Sequence, residues 1–176
     1  MVLKLAHQIW ERHLRAGQRA VDATCGNGHD TAFLAGLGLS HIYACDIQEK
    51  ALEMTKKRLK GFKNISYHLG CHSCFEGVAP GIALLVYNLG YLPGSDKEVV
   101  TCLETTLISV KKGLSLLQPQ GMVSLTLYSG HAEGEREKKA LLDWGASLSK
   151  GEYEVSHHCL LNRKTAPSLL VVKKIF

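Results

Sequence analysis

Val21-Asp22-Ala23-Thr24-Cys25-Gly26-Asn27-Gly28-His29-Asp30 reads as the end of a strand, a glycine-containing turn and the start of a helix. Residues 19–24 are short, apolar and partly β-branched. Gly26 and Gly28 supply the free backbone of a tight turn, and 31–37 resumes a helical apolar spacing. A second strand, Tyr43-Ala44-Cys45-Asp46, ends in an acid 18 residues after Gly28. In a βαβ unit, a carboxylate ~20 residues beyond the glycine turn sits where it can bind a cofactor ribose. The stretch is therefore a candidate nucleotide-cofactor loop.

Composition sets the frame. A chain of 176 residues is close to one domain's worth, and 45% hydrophobic with 21% charged residues is ordinary for a globular protein. No apolar run reaches the ~18 residues of a membrane span. The first turns mix Lys4, His7, Glu11, Arg12 and His13 with apolar residues, which predicts an amphipathic helix rather than an export leader, and hence a cytoplasmic protein. Six cysteines are then expected as free thiols. Cys71-His72-Ser73-Cys74 has the spacing of a zinc half-site, but no second pair completes it, so no metal is expected. The net charge of +5 favours an anionic partner such as RNA without requiring one. Monomer and homodimer both remain open.

Outward from the opening stretch, strands and helices alternate: strand 19–24, helix 30–37, strand 41–46, helix 50–60, strand 64–69, strand 82–87, helix 97–117, strand 122–128, helix 133–149. Gly121, after Pro119, punctuates the passage from helix to strand, and in the last helix Glu133, Glu135, Arg136, Glu137, Lys138 and Lys139 are expected outside. Near-continuous apolar strands alternating with helices imply a parallel sheet covered on both faces. Strands 153–160 and 168–175 have no helix between them, so they must be antiparallel neighbours closing the sheet. Seven strands with the last reversed is the α/β architecture of the Rossmann-like class I methyltransferases.

Ligands of such sheets bind at the carboxyl ends of the strands. Those ends carry Asp22 to Asp30, Asp46-Ile47-Gln48, Gly70-Cys71-His72, Asn88-Leu89-Gly90-Tyr91-Leu92-Pro93, Ser129-Gly130-His131, and the tip Asn162 to Pro167. The glycine turn lacks the third glycine of a dinucleotide fingerprint, which weakens an NAD reading. S-adenosylmethionine has no pyrophosphate and needs no phosphate-binding helix end. Asp22 suits its ammonium and Asp46 its ribose hydroxyls; equally, Asp22 can cap the turn and Asp46 the helix at Gln48. His29 can meet the cofactor or cap the following helix.

At Asn88 to Pro93, an Asn side-chain oxygen with a backbone carbonyl can hold the hydrogens of an amine and aim its lone pair, while Tyr91 can stack on a base. His131 can accept a proton near neutrality, and His131 and His72 are candidates to line the site. Arg163, at the hairpin tip, can reach an RNA phosphate.

Together, Val21-Asp22-Ala23-Thr24 through Asp30, Asp46-Ile47-Gln48, Asn88 to Gly94 with Asp96-Lys97, and Tyr128-Ser129-Gly130-His131 resemble the YtqB/MnmM-type family, long labelled rRNA methylases. The resemblance implies S-adenosylmethionine-dependent methylation of the aminomethyl nitrogen of 5-aminomethyl-2-thiouridine at the tRNA wobble position, and so the tRNA anticodon stem-loop as partner. It implies Asn27, His29, Asp46, Gln48, Cys71 and His72 at the cofactor, and Asn88, Tyr91, Tyr128 and His131 at the substrate, with Asn162 and Arg163 as RNA contacts. The chain departs from the family's usual pattern at Cys71 (Ser), at Ser129 (His), and at Asn162-Arg163-Lys164-Thr165 (Asn-Gln-x-Asn). Methylation of rRNA or a small amine, and a nucleotide-binding module without catalysis, are the alternatives.

Overall fold

The computed structural model describes residues 2–89, 102–130, 132–163 and 165–176. Chain order is α1 (Val2–His13), β1 (Arg19–Asp22), α2 (His29–Ala35), β2 (His41–Asp46), α3 (Glu49–Arg58), β3 (Ile65–Leu69), β4 (Ile82–Asn88), α4 (Leu103–Leu116), β5 (Leu117–Leu127), α5 (Ala132–Ser147), β6 (Tyr153–His158) and β7 (Ser168–Lys174). The strands form one seven-stranded sheet in the order β3-β2-β1-β4-β5-β7-β6. Pairings among β1 to β5 are parallel, and β7 runs antiparallel to both β5 and β6.

The apolar strands are explained by burial on two faces. In β4, Leu84 and Val86 join Trp10, Leu34 and Ile42 under α1 and α2, while Leu85 and Tyr87 join Val110, Leu141 and Trp144 under α4 and α5. Cys25, Ala44 and Leu52 form a smaller cluster that seats α3. Because β2 and β4 flank β1 on opposite sides, the strand order reverses there, and a crevice opens beyond the ends of β1 and β4.

Helix α1 is laid along the sheet by one stripe of its surface. His7, Trp10 and His13, three residues apart and hence on one face, bond Asp30, the Ser124 hydroxyl (2.8 Å) and the Ala83 carbonyl (3.1 Å). That contact order runs from the carboxyl ends of the strands to the amino end of β4, so the first turns of α1 lie at the crevice.

Two expectations are corrected. The fifth strand begins at Leu117, directly after α4, instead of at 122: Leu117 pairs with Ile82, the chain loops out, and pairing resumes at Met122 with Leu84. Gln120 sits at φ +63 in that irregularity, and a Cβ on Gly121 would lie 2.8 Å from two carbonyl oxygens. Glu137, expected outside, is 5% exposed and accepts a hydrogen bond from Thr106 Oγ1 at 2.8 Å, because α4 packs over that side of α5. The other elements agree with the expected ones to within a few residues at their described ends; 97–101 of the expected long helix lie outside the described residues.

Candidate active site

The glycine turn is built as a left-handed entry to α2. Gly28 is the N-cap at φ +76, its N–H donating to the Cys25 carbonyl at 2.7 Å, and Gly26 is at φ +52. A side chain at 28 would meet Thr55, whose Oγ1 and Cα lie 2.8 and 3.0 Å from an ideal Cβ. Helix α3 therefore presses on the turn and clamps it: Thr55 Oγ1 donates to the Gly26 carbonyl (3.0 Å) and Arg58 Nε to the Asn27 carbonyl (2.7 Å). His29 does not cap α2; it opens the helix and its Nε2 lies 3.2 Å from Arg58 Nη2, on the exposed side.

Asp46 joins the strand end to the turn. Its Oδ2 accepts from the Gly26 N–H and its Oδ1 from the Gln48 N–H, both at 2.9 Å. Each oxygen keeps a second lone pair, so the carboxyl can hold the loop and still accept hydroxyls. Burial raises its pKa above the usual carboxylate range.

Asp22 lies beneath, 1% exposed, accepting from the Thr31 hydroxyl at 2.6 Å. Burial first, and the neighbouring Asp30 second, push its carboxyl up to about 7. Among the described residues, no cation acts on this buried acid to favour its charge.

At the end of β4, the Asn88 backbone N–H donates to Thr24 Oγ1 at 2.7 Å, tying this strand end to the glycine turn. The Asn88 side-chain NH2 donates to Asp30 Oδ2, and Asp30 Oδ1 lies 2.6 Å from His7 Nε2. Among the described residues, Asn88 Oδ1 is buried with no partner. Tyr128 closes the same corner; burial and then the Asp30 charge raise its phenol pKa.

His72 lies with its ring edge-on to Tyr87, 5.8 Å between centroids, and burial lowers its pKa to about 4, so it is neutral at physiological pH. Its Nδ1 is buried without a partner among the described residues. Its carbonyl accepts from Ser109 Oγ at 2.9 Å, which leaves Tyr87 to donate to that hydroxyl at 2.7 Å. Cys71 Sγ is 3.0 Å from Ser73 Oγ. The buried Ser129 hydroxyl, after β5, is a further group without a partner among the described residues.

The structure thus gathers Asp22, Gly26, Asn27, Gly28, His29, Asp46, Gln48 and Asn88 around one turn: Asp46 bonds Gly26 and Gln48, Thr24 bonds Asp22 and Asn88, Arg58 bonds Asn27 and His29, and Gly28 bonds Cys25. Asn162 and Arg163 stand apart, exposed on the tip between β6 and β7. Ser168 pairs with Leu127, however, so the tip emerges from the sheet end that carries Tyr128. Tyr91 and His131 lie outside the described residues. Asp30, His7, Thr24 and Arg58 were not among the predicted site residues. Asp30 carried a signal, an acid opening the helix after a glycine turn; His7 carried none, since its contact spans 23 residues of sequence.

Among the described residues no group of three or more His, Cys, Asp or Glu is placed to hold a metal ion, and no helix is long and apolar enough to cross a membrane. The sheet order with a reversed β7 is that of the Rossmann-like class I methyltransferases. Within that class the chain belongs to the family described as "Putative rRNA methylase", whose model matches residues 42–174.

It is 33% identical over 188 residues to the chloroplastic tRNA (mnm(5)s(2)U34)-methyltransferase of Arabidopsis thaliana, covering 97% of this chain and 68% of that protein. A solved Clostridium thermocellum protein, described in the same words as the family, superposes with a TM-score of 0.95 at 30% identity, over 99% of this chain and 97% of that one. SMU.1697c of Streptococcus mutans, solved in complex with SAH, superposes with a TM-score of 0.92 at 34% identity, over 99% and 98% of the two chains.

Proposed function

We propose that the protein is an S-adenosylmethionine-dependent N-methyltransferase acting on the aminomethyl group of 5-aminomethyl-2-thiouridine at the tRNA wobble position. The observation that carries this reading is Asn88 Oδ1: a buried amide oxygen without a partner among the described residues, at the end of β4 and bonded through its own backbone to the glycine turn. Such an acceptor suits a group that brings N–H donors, as an amine does. The likeness to the Arabidopsis wobble-uridine enzyme names the amine.

The residues present fit the cofactor. Asp22, pushed up to about 7 with no counter-cation among the described residues, suits an ammonium close to the loop, and Asp46 has lone pairs to spare for ribose hydroxyls. Gln48, Cys71 and His72 complete that side, His72 Nδ1 as an orphan acceptor or donor. When bound, S-adenosylmethionine supplies an electrophilic methyl on a sulfonium sulfur.

The chain's own contribution is positioning. Asn88 accepts an amine N–H and fixes the direction of the nitrogen lone pair. Tyr128 and Tyr91 bound the base, and His131 takes the proton that an alkylammonium must lose before it is nucleophilic. Arg163 and Asn162, at the exposed tip, meet the RNA backbone of the anticodon stem-loop. The cytoplasm is the compartment proposed, where tRNA is modified and six free thiols persist.

Labelled S-adenosylmethionine incubated with the protein and tRNA from a strain lacking the final wobble methylation, followed by nucleoside analysis, tests this. Label in methylaminomethyl-thiouridine is expected. No label in tRNA while rRNA or a small amine supplied in a parallel incubation is labelled, or cofactor binding with no turnover, would overturn it.

A further inference from the structure

Two groups behind Asn88, His7 and Asp30, extend it into a chain of three whose far part the proposed chemistry has not used. His7 Nε2 lies 2.6 Å from Asp30 Oδ1, and Asp30 Oδ2 accepts from the Asn88 side-chain NH2. The three residues come from α1, α2 and β4, separated by 23 and 58 positions, so only the packed fold brings them together. Asp30 is buried, at 6% exposure, and each of its oxygens has one of these partners. His7 is pinned in turn: its ring stacks on Phe33 at 4.0 Å between centroids and 12° between planes, and lies 5.0 Å from Trp10.

An Asn side chain has two faces of similar shape and opposite polarity, an oxygen that accepts and an NH2 that donates. Nothing in its own rotamer decides which points inward. Here the decision comes from outside. A carboxylate only accepts, so the amide must turn its NH2 to Asp30, because the other orientation would set two oxygens against each other. The oxygen is then left facing away from Asp30, buried and without a partner among the described residues. The backbone N–H of Asn88 is held by Thr24 Oγ1 at 2.7 Å, so the side chain cannot evade the choice by shifting its strand end.

We infer that Asp30, held by His7, is a positioning residue that orients the Asn88 amide, making Asn88 a dedicated acceptor for the substrate's amine hydrogens. This rests on the proposed N-methyltransferase reading for its substrate, and on geometry alone for the orientation. Asp30 acts through Asn88, and His7 through Asp30. Without them neither orientation is enforced, and in the flipped one the amide presents a donor to a donor.

A charge and amide swap tests the shared bond. Asn88→Asp alone sets two carboxylates face to face and is expected to cut kcat at least about 100-fold, the scale for losing one well-placed polar group at a reacting centre. Asp30→Asn alone leaves the amide pair free to choose its orientation and is expected to lower kcat about tenfold, with KM for S-adenosylmethionine unchanged. In the double variant the amide now at position 30 donates to the carboxylate now at position 88, whose second oxygen again faces the amine. Its kcat is expected at least tenfold above that of Asn88→Asp. A double variant at or below the product of the two single effects would overturn the inference. His7→Gln, which keeps a hydrogen-bonding nitrogen, is expected to retain more kcat than His7→Ala; equal losses would remove His7 from the chain.

A second readout needs no turnover. In a 15N-labelled sample the Asn88 side-chain amide, assigned by its absence in Asn88→Ser, is expected to show one proton in slow exchange with water. Exchange of both protons at the free-amide rate would overturn the orientation even if the swap could not be assayed. Failure of the tRNA assay with an intact amide signal would instead overturn the substrate and leave the orientation standing.

Discussion

Arg58 of α3 donates its Nε–H to the carbonyl oxygen of Asn27 at 2.7 Å, so one side chain ties the end of a helix to the middle of the glycine turn. The same guanidinium reaches His29 at 3.2 Å. Because Arg58 is exposed, these bonds do little for global stability; their effect is on the turn. Arg58→Ala is expected to weaken S-adenosylmethionine binding by about 5-fold, the equivalent of one ordinary hydrogen bond of ~1 kcal/mol. Isothermal titration of wild type and variant measures it, and kcat at saturating cofactor should change by less than about twofold.

Gly28 has two independent reasons to be glycine, a φ of +76 and Thr55 Oγ1 at 2.8 Å from where a Cβ would stand. Gly28→Ala therefore adds left-handed strain of about 1–2 kcal/mol and a clash with α3. A fall in Tm of at least about 4 °C is expected in thermal unfolding, together with a marked loss of cofactor affinity. Gly17→Ala, also at positive φ but with open space around it, should cost less and leave the affinity unchanged.

Asp22 makes stability depend on pH in a defined direction. Its folded value of about 7 lies above its ordinary 3.8, so between those values the folded chain holds a proton that the unfolded chain has lost. Stability from this group is full at low pH and is lost as pH rises through about 7. His72 acts oppositely: its folded value of about 4 lies below 6.5, so it adds stability as pH rises between them. Comparing wild type with Asp22→Asn isolates the acid. The Tm of Asp22→Asn relative to wild type should be higher at pH 8 than at pH 5, by about 3 °C or more. A difference independent of pH would show that Asp22 ionises normally.

Trp10 is fully buried, and its indole N–H donates to Ser124 Oγ at 2.8 Å, which anchors α1 across β5. Trp10→Phe removes volume and leaves the hydroxyl unpaired, so a loss of about 2–3 kcal/mol is expected in denaturant unfolding. Since the same helix carries His7 to the crevice, kcat should fall as well. A variant as stable as wild type would mean that α1 is held by its other contacts.

The architecture was legible because it rests on local signals. Apolar runs such as Ile82 to Tyr87, glycines at turns and the missing helix between the last two strands each announce an element or its direction. The gathering of Asp22, Gly26, Gly28, Asp46 and Gln48 around one turn was legible for the same reason: they sit at strand ends that apolar runs announce. The start of the fifth strand at Leu117 was not, because the proline and glycine that soon follow it look like a break, whereas pairing with Ile82 continues the strand across the irregularity. Glu137 looked solvent-exposed in a charged run, and only the packing of α4 on α5 turned it inward.

By itself, then, the amino-acid sequence determined the doubly wound sheet, its reversed last strand and the place of the glycine turn, since these follow from periodicity and from the backbone freedom of glycine. Only the tertiary structure decided which groups stand behind Asn88. The bonds from His7 to Asp30 and from Asp30 to Asn88 join residues far apart in the chain, and no local pattern carries information about a hydrogen bond that exists only once α1, α2 and β4 have packed.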